Sequence, residues 1–208
     1  ISLVHKSRIE LRIFAIQYSN ILKGKESKPH IGIFGRRNNG KSSLINALAG
    51  QEIAIVSDIA GTTTDPVKKS MEIPGLGPVI LVDTAGMDDF GELGAKRVAR
   101  TIEALKTVDL AILVIANNQF ADTELELIEQ FDDLIIPFII VHNKSDIEAI
   151  KDELADSIRK KFTTDVIKFT CLNPDIELLV ASIRKYMPPS AYKINTLVGD
   201  LIKYGDIV

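Results

Sequence analysis

The sequence holds a single cysteine, Cys171, among its 208 residues. One thiol excludes an internal disulfide and any metal cage built from several thiolates of this chain, and it fits a reducing compartment. Long apolar runs are also missing. None approaches the roughly 20 residues that span a bilayer, and the amino end lacks the unbroken apolar segment of a signal peptide. The expectation is therefore a cytoplasmic protein without a membrane partner. Nor is there an excess of positive charge: 25 Lys and Arg stand against 28 Asp and Glu, for a formal charge of −3. Bulk composition thus argues against nucleic acid as a partner, because no surplus of cations is available to neutralise its backbone. Internal repeats and low-complexity segments are absent as well.

What remains is 46% hydrophobic and long enough for one globular core with an appendage. Residues 9–22, IELRIFAIQYSNIL, place Ile9, Ile13, Phe14 and Ile16 at helical spacing before GKESKP interrupts them, so residues 1–27 are expected to form a helical extension and linker. From Pro29 onward, HIGIF, VILVD, LAILVIA, PFIIVHN and DVIKF are nearly continuous apolar runs, the pattern of parallel strands covered on both faces. Between them KSSLINALAG, GELGAKRVARTIEAL, DTELELIEQFDDL, IEAIKDELADSIRKKF and DIELLVASIRKYM have helical spacing. VKKSMEI, the turn PGLGP and VILVD predict a hairpin adding an antiparallel edge strand. The fold class is α/β: a doubly wound, mostly parallel six-stranded sheet with one antiparallel edge strand and helices on both faces, over residues 28–187. PPS then breaks the last helix, and residues 188–208 read as a linker and the start of a second domain. The chain opens at Ile1 and stops in YGDIV, a segment like a strand just beginning, so a piece of a longer protein is expected.

Gly35-Arg36-Arg37-Asn38-Asn39-Gly40-Lys41-Ser42 separates the first strand from a helix in a GxxxxGKS pattern, which marks a P-loop NTPase. The glycines let successive N–H groups turn inward, and the start of the helix adds about half a positive charge, so polyphosphate is favoured. Lys41 would reach the outer phosphates and the Ser42 hydroxyl would help to hold Mg²⁺, with Asn39 and Ser43 completing the lining. DTAG ends the third apolar run, where ligands of an open sheet gather outside the strand ends. There Asp83 would bind Mg²⁺ through water and the Gly86 N–H would meet the terminal phosphate. Asn143-Lys144-Ser145-Asp146 follows another strand and addresses the base. The Asp146 carboxylate can accept from the N1–H and the exocyclic amine of guanine, whereas adenine presents an unprotonated ring nitrogen. Charge-assisted bonds contribute about 1.5–3 kcal/mol each, so GTP is expected over ATP. Asn143 would stitch this loop to the phosphate loop, and the Lys144 stem would lie over the base. Thr170 and Cys171, after the last strand, would bring a backbone N–H to the guanine carbonyl, and nothing near Cys171 is cationic enough to make it a reactive thiolate.

Together these motifs resemble the translation-factor-related GTPases and, within them, the tRNA-modification group. GIFGRRNNGKSSLINAL with AIVSDIAGTTTDPVKKSMEIPGLGPVILVDTAGMDDFGELGAKRVART is similar, more narrowly, to the GTPase domain of the HydF family of FeFe-hydrogenase maturation proteins. LVGDLIKYGD resembles the entry to that family's dimerisation domain. Ras-type enzymes place a glutamine after DTAG; here that position is Met87, which cannot orient water. The resemblance implies that K⁺ supplies the missing charge, held by an asparagine that aligns with Asn38 and by backbone carbonyls of the segment Ser57 to Asp65. It also implies that Thr63 completes the Mg²⁺ shell, with Thr62 and Thr64 close enough to leave the register open. Asn38, Lys41, Thr63 and Gly86 are the expected catalytic set. Asp88 or Asp89 would position water, or serve only as solvated loop carboxylates. Arg36 and Arg37 stand where such residues more often face solvent than act as a catalytic guanidinium. His142 reads as a packing residue, and His5 and His30 carry no signal. TCLNPDI replaces the family's glycine-containing loop, leaving the last guanine contact the least constrained.

The function so implied is GTP binding and slow, K⁺-stimulated hydrolysis in hydrogenase cofactor maturation, with GDP as product, a homodimer, and hydrogenase and the other maturation enzymes as partners. The family's iron–sulfur cluster would belong to another domain, since one cysteine cannot hold it. The alternative is a GTPase acting in tRNA modification or ribosome assembly. A third reading is a nucleotide-gated dimerisation module.

Overall fold

The computed structural model of the chain describes residues 28–50, 57–59, 67–83, 102 and 104–192. The extension expected over 1–27 lies outside them, as does the tail from residue 193. Pro29–Pro188 forms one compact unit, and a second grouping joins Ile1–Lys28 with Pro189–Val208, of which a 3-10 turn at Pro189–Tyr192 is described.

The elements of the main unit are β1 (His30–Phe34), α1 (Lys41–Ala49), β2 (Ser57–Ile59), β3 (Val67–Ile73), β4 (Gly77–Asp83), β5 (Leu110–Ile115), α2 (Asp122–Asp133), β6 (Phe138–His142), α3 (Asp152–Phe162), β7 (Val166–Lys168) and α4 (Ile176–Tyr186). The sheet order is β2-β3-β4-β1-β5-β6-β7. Strands β4, β1, β5, β6 and β7 are mutually parallel, while β3 runs antiparallel to both β4 and β2. The fold is thus the doubly wound α/β sheet with one antiparallel strand. All six expected strands form, but a seventh, the three-residue β2, pairs outside β3. The antiparallel strand is therefore one in from the edge rather than at it. A run as short as Ser57–Ile59 carries too little alternation to stand out in sequence.

The continuous apolar runs follow from burial on both faces. Every residue of β1 and β5 is buried. Phe34, Leu113, Ile115, Phe138 and Ile140 join Ile128 and Phe131 of α2 and Ala155 and Ile158 of α3 in a single cluster. Phe131 sits at its centre, with ring centroids 5.2 Å from Phe34 and 5.6 Å from Phe138. Because side chains alternate along a strand, Ile33, Ile112, Val114 and Val141 face the other way. On that face α1 packs near β3 and β4, and α4 near β6.

One helix begins later than its sequence suggests. The run IEAIKDELADSIRKKF becomes helical only at Asp152, with Lys151 extended before it. Ile150 drops into the core while Ile147 is 74% exposed, and the Asn118 side chain bonds the backbone of Ala149 and Lys151. A side chain competing for these groups holds the segment out of the helix. The helix expected over 91–105 is described only near its end, where Ile102, Ala104 and Leu105 are helical.

The five parallel strands share one edge at their carboxyl ends. Asp83 lies beside Ile33, Ile115 beside His142, and His142 beside Lys168. The segments GRRNNGKS, NKSD and TCL leave the sheet on this side, and Asp83, the first residue of DTAG, ends β4 there.

Gly32 tests how closely β1 is packed. A Cβ there would stand 2.5 Å from the Phe34 ring and 2.8 Å from Val108, so Gly32→Ala is expected to destabilise the fold by about 1–3 kcal/mol. Urea unfolding followed by circular dichroism would measure it.

Candidate functional site

The phosphate loop leaves β1 at Gly35, which has φ +133, and enters α1 at Gly40, which has φ +86. Both torsions suit glycine, and both positions lack room: an added Cβ would collide with the Val114 carbonyl oxygen at Gly35 and with the Asn143 amide nitrogen at Gly40. Lys41 is buried, and its Nζ donates to the carbonyls of Gly35 at 2.6 Å and Arg36 at 3.0 Å. The ammonium therefore lies folded over the loop it follows. Asn39 is also buried, and its Nδ2 donates to the Val114 carbonyl at 2.9 Å, so its side chain anchors the loop to β5 and only its backbone is left to line the cradle. Ser42 and Ser43 are exposed at the start of α1. Asn38 is exposed in the left-handed region, φ +66.

The tie expected between the base loop and the phosphate loop is present. Asn143 Nδ2 donates to the Asn39 carbonyl at 2.9 Å and reaches that of Gly40 at 3.5 Å. Its Oδ1 faces Cys171 Sγ at 3.6 Å. Ser145 fixes the same loop to the end of β7, its N–H and hydroxyl both donating to the Phe169 carbonyl, at 3.0 and 2.7 Å. Lys144 adopts φ +58, and its carbonyl accepts the N–H groups of Ile147 and Glu148. Asp146 rides on that turn, exposed, with no hydrogen bond to the described residues. Thr170 accepts the Leu172 N–H. Burial pushes the Cys171 thiol up from its ordinary pKa, which agrees with an unreactive cysteine.

Arg36 is one third exposed, and its guanidinium is already engaged: Nε and Nη2 donate to the two carboxylate oxygens of Glu124 at 2.7 and 2.8 Å. Glu124 is wholly buried and also accepts the Ala121 N–H at 2.9 Å, capping α2. The hydrogen bond to Glu124 holds the guanidinium above its usual pKa. Sequence reasoning missed Glu124 because it reads as one more acid in DTELELIEQF. Its place in the first turn of α2, beside apolar Leu125 and Ile128, was the available signal.

Thr62, Thr63, Gly86, Met87, Asp88 and Asp89 lie outside the described residues, and so does the latter part of the segment from Ser57 to Asp65. Its first part, Ser57–Ile59, is a strand paired with Lys68–Ser70. Of Asp83 the structure gives the backbone position, at the end of β4 and level with Ile33. By chemistry alone, a serine hydroxyl and an aspartate carboxylate are oxygen donors of the kind a hard divalent cation such as Mg²⁺ takes. The exposed Asn38 amide has no hydrogen bond to the described residues and fits a weakly bound monovalent ion.

The sequence matches the family described as 50S ribosome-binding GTPase over residues 30–144. It is 43% identical over 141 residues to the GTPase Der of Wolinella succinogenes, covering 65% of this chain and 30% of that protein. It is 32% identical over 183 residues to the tRNA modification GTPase MnmE of Nitrosomonas europaea, covering 86% of this chain and 39% of that protein. The chain therefore spans well under half the length of either relative. A structure of Era in complex with MgGDPNP and a segment of 16S ribosomal RNA superposes with TM-score 0.61 at 30% identity, covering 77% of this chain and 57% of that one.

His142, at the end of β6 next to the base loop, is 0% exposed, and neither ring nitrogen has a partner among the described residues. Burial pushes its pKa below the usual imidazole value. The unfolded chain thus binds a proton that the folded chain refuses, so stability is full above the unfolded value of about 6.5 and falls as pH drops from there toward the depressed folded pKa. The unfolding free energy from urea titrations is expected to fall between pH 7.5 and 5.5, by at most about 1.4 kcal/mol per pH unit from this group, and His142→Leu should flatten that slope.

Proposed function

This chain belongs to the 50S ribosome-binding GTPase family, and from that premise we propose that it is a slow, potassium-stimulated GTP switch acting on RNA, in tRNA modification or ribosome assembly. The observation that carries the nucleotide site is the buried hydrogen bond from Asn143 to the Asn39 carbonyl, which locks the loop reading phosphates to the loop reading the base. The RNA direction is supported by relatives: one is named a tRNA modification GTPase, and Era is seen with 16S ribosomal RNA. On this reading RNA contact is local, or made by other parts of the protein, since net charge is −3. A second reading, hydrogenase maturation, is supported by GRRN, SDIAGTTTDPV and TAGMDD. The relatives reported above favour RNA over it, and contacts with hydrogenase or its maturation enzymes belong to that second reading alone. Homodimerisation rests on the LVGDLIKYGD resemblance.

The nucleotide's phosphates lie over the inward amides of Gly35–Lys41 and the start of α1, where the helix dipole and Lys41 draw negative charge. Lys41 exchanges its carbonyl partners at Gly35 and Arg36 for phosphate oxygens. Ser42, Thr63 and Asp83 would hold Mg²⁺, and Asn38 would hold K⁺. When bound, these ions add positive charge where the terminal phosphate oxygens develop negative charge. The Gly86 N–H would meet the terminal phosphate. At the other end Asp146 accepts from the guanine ring N–H and amine, Lys144 covers the base, and the Thr170–Cys171 backbone approaches the guanine carbonyl.

Asp146→Asn should exchange the preference for GTP for one toward xanthosine triphosphate, whose ring offers a carbonyl in place of the amine. Unchanged GTP affinity by calorimetry would exclude this base pocket. Hydrolysis should run several-fold faster in KCl than in NaCl and rise further when tRNA or 16S ribosomal RNA is added. Equal rates in the two salts would remove Asn38 from its role, and indifference to both RNAs would sink the RNA reading.

A further inference from the structure

The loop between β5 and α2 carries no nucleotide-binding motif, yet its Asn118 side chain uses both ends of its amide on the segment that follows Asp146. Nδ2 donates to Glu148 Oε1 at 2.7 Å and to the Ala149 carbonyl at 3.1 Å, and Oδ1 accepts the Lys151 N–H at 2.8 Å. The backbone is bent to allow it. Asn117 and Asn118 have φ of 54 and 53, a left-handed conformation that residues with side chains rarely adopt twice in succession. Such a conformation persists where surrounding contacts dictate it, and it points toward a function.

We propose that Asn118 is a positioning residue for guanine recognition, setting the place of Asp146 from the far side of its turn. Three supports hold that turn. Asn143 fixes its entrance to the phosphate loop, and Ser145 fixes its middle to Phe169. Beyond Asp146 the chain is exposed at Ile147, Glu148 and Ala149 and returns to the core only at Ile150. Asn118 spans that exposed stretch. Without it, residues 148–151 are free to continue α3 backward into a helix, as their sequence pattern favours, and the turn bearing Asp146 would be drawn with them. A carboxylate that must accept two parallel bonds tolerates little displacement, so the residue that orders its exit governs selectivity more than affinity for phosphate.

The inference rests on the guanine-reading role of Asp146. The test is calorimetric titration of the full chain with GDP and with inosine diphosphate, which lacks only the exocyclic amine, in the presence of magnesium. The unsubstituted protein should prefer GDP, and Asn118→Ala should narrow the GDP-to-IDP ratio about five- to tenfold. Glu148→Ala, which removes one of the amide's partners, should narrow it less. A merely structural role would lower the melting temperature of Asn118→Ala and leave the ratio at its original value, and that result overturns the proposal. Should Asn118→Ala not fold, Asn118→Asp keeps the acceptor for Lys151 and loses the donors; an unchanged ratio there overturns the proposal equally. If the unsubstituted protein binds GDP and IDP alike, the base pocket itself is refuted and the role of Asn118 falls with it.

Discussion

One buried hydrogen bond, from the Asn143 amide to the carbonyl of Asn39, joins segments 104 residues apart in sequence. Each end of the candidate site is set by its own strand, the GRRNNGKS loop by β1 and the NKSD loop by β6, and these strands are not neighbours in the sheet. Without a direct tie, the spacing between the two ends would depend on β5 alone. The tie has left no slack: Gly40 cannot carry a side chain because the Asn143 amide occupies its space. Asn39 in turn holds β5 through Val114, so one asparagine links the loop to the intervening strand and the other links it across that strand. The loop is thus tied at two points, to β5 and to the segment after β6.

The sheet was legible because its information is local. Runs such as LAILVIA and PFIIVH allow little but a strand buried on both faces, and GRRNNGKS between strand and helix admits few backbone paths. The Asn143 bridge could be read as well, because an asparagine beside a lysine and an aspartate at a strand end has few other purposes. What escaped the sequence was long-range pairing. Asn118 and Glu124 each take their meaning from a partner far along the chain, Lys151 and Arg36 respectively, while β2 was missed because three residues show too little alternation. NNQF announces no such partner, and DTELELIEQF signals at most that Glu124 is placed to cap a helix, not that Arg36 meets it. The late start of α3 failed for the same reason, since periodicity cannot register a side chain arriving from another loop.

Charge in the site is organised by removal as much as by supply. Arg36 and Arg37 give the phosphate loop two guanidinium groups by sequence, but Arg36 is neutralised by the buried Glu124 carboxylate. Beside the charge of Arg37, the field at the cradle rests on Lys41, the backbone amides and the start of α1. This fits a site in which placement of dipoles matters more than total charge, in a chain that is slightly acidic overall.

That neutralisation constrains inheritance. A buried carboxylate stripped of its guanidinium is strongly unfavourable, while an apolar pair in the same space can be as stable as the ion pair. A lineage can therefore not discard either member of the Arg36 and Glu124 couple by itself without weakening the fold. Descendants of this sequence should keep both or lose both, and the two columns of a future alignment, 88 positions apart, would drift in step.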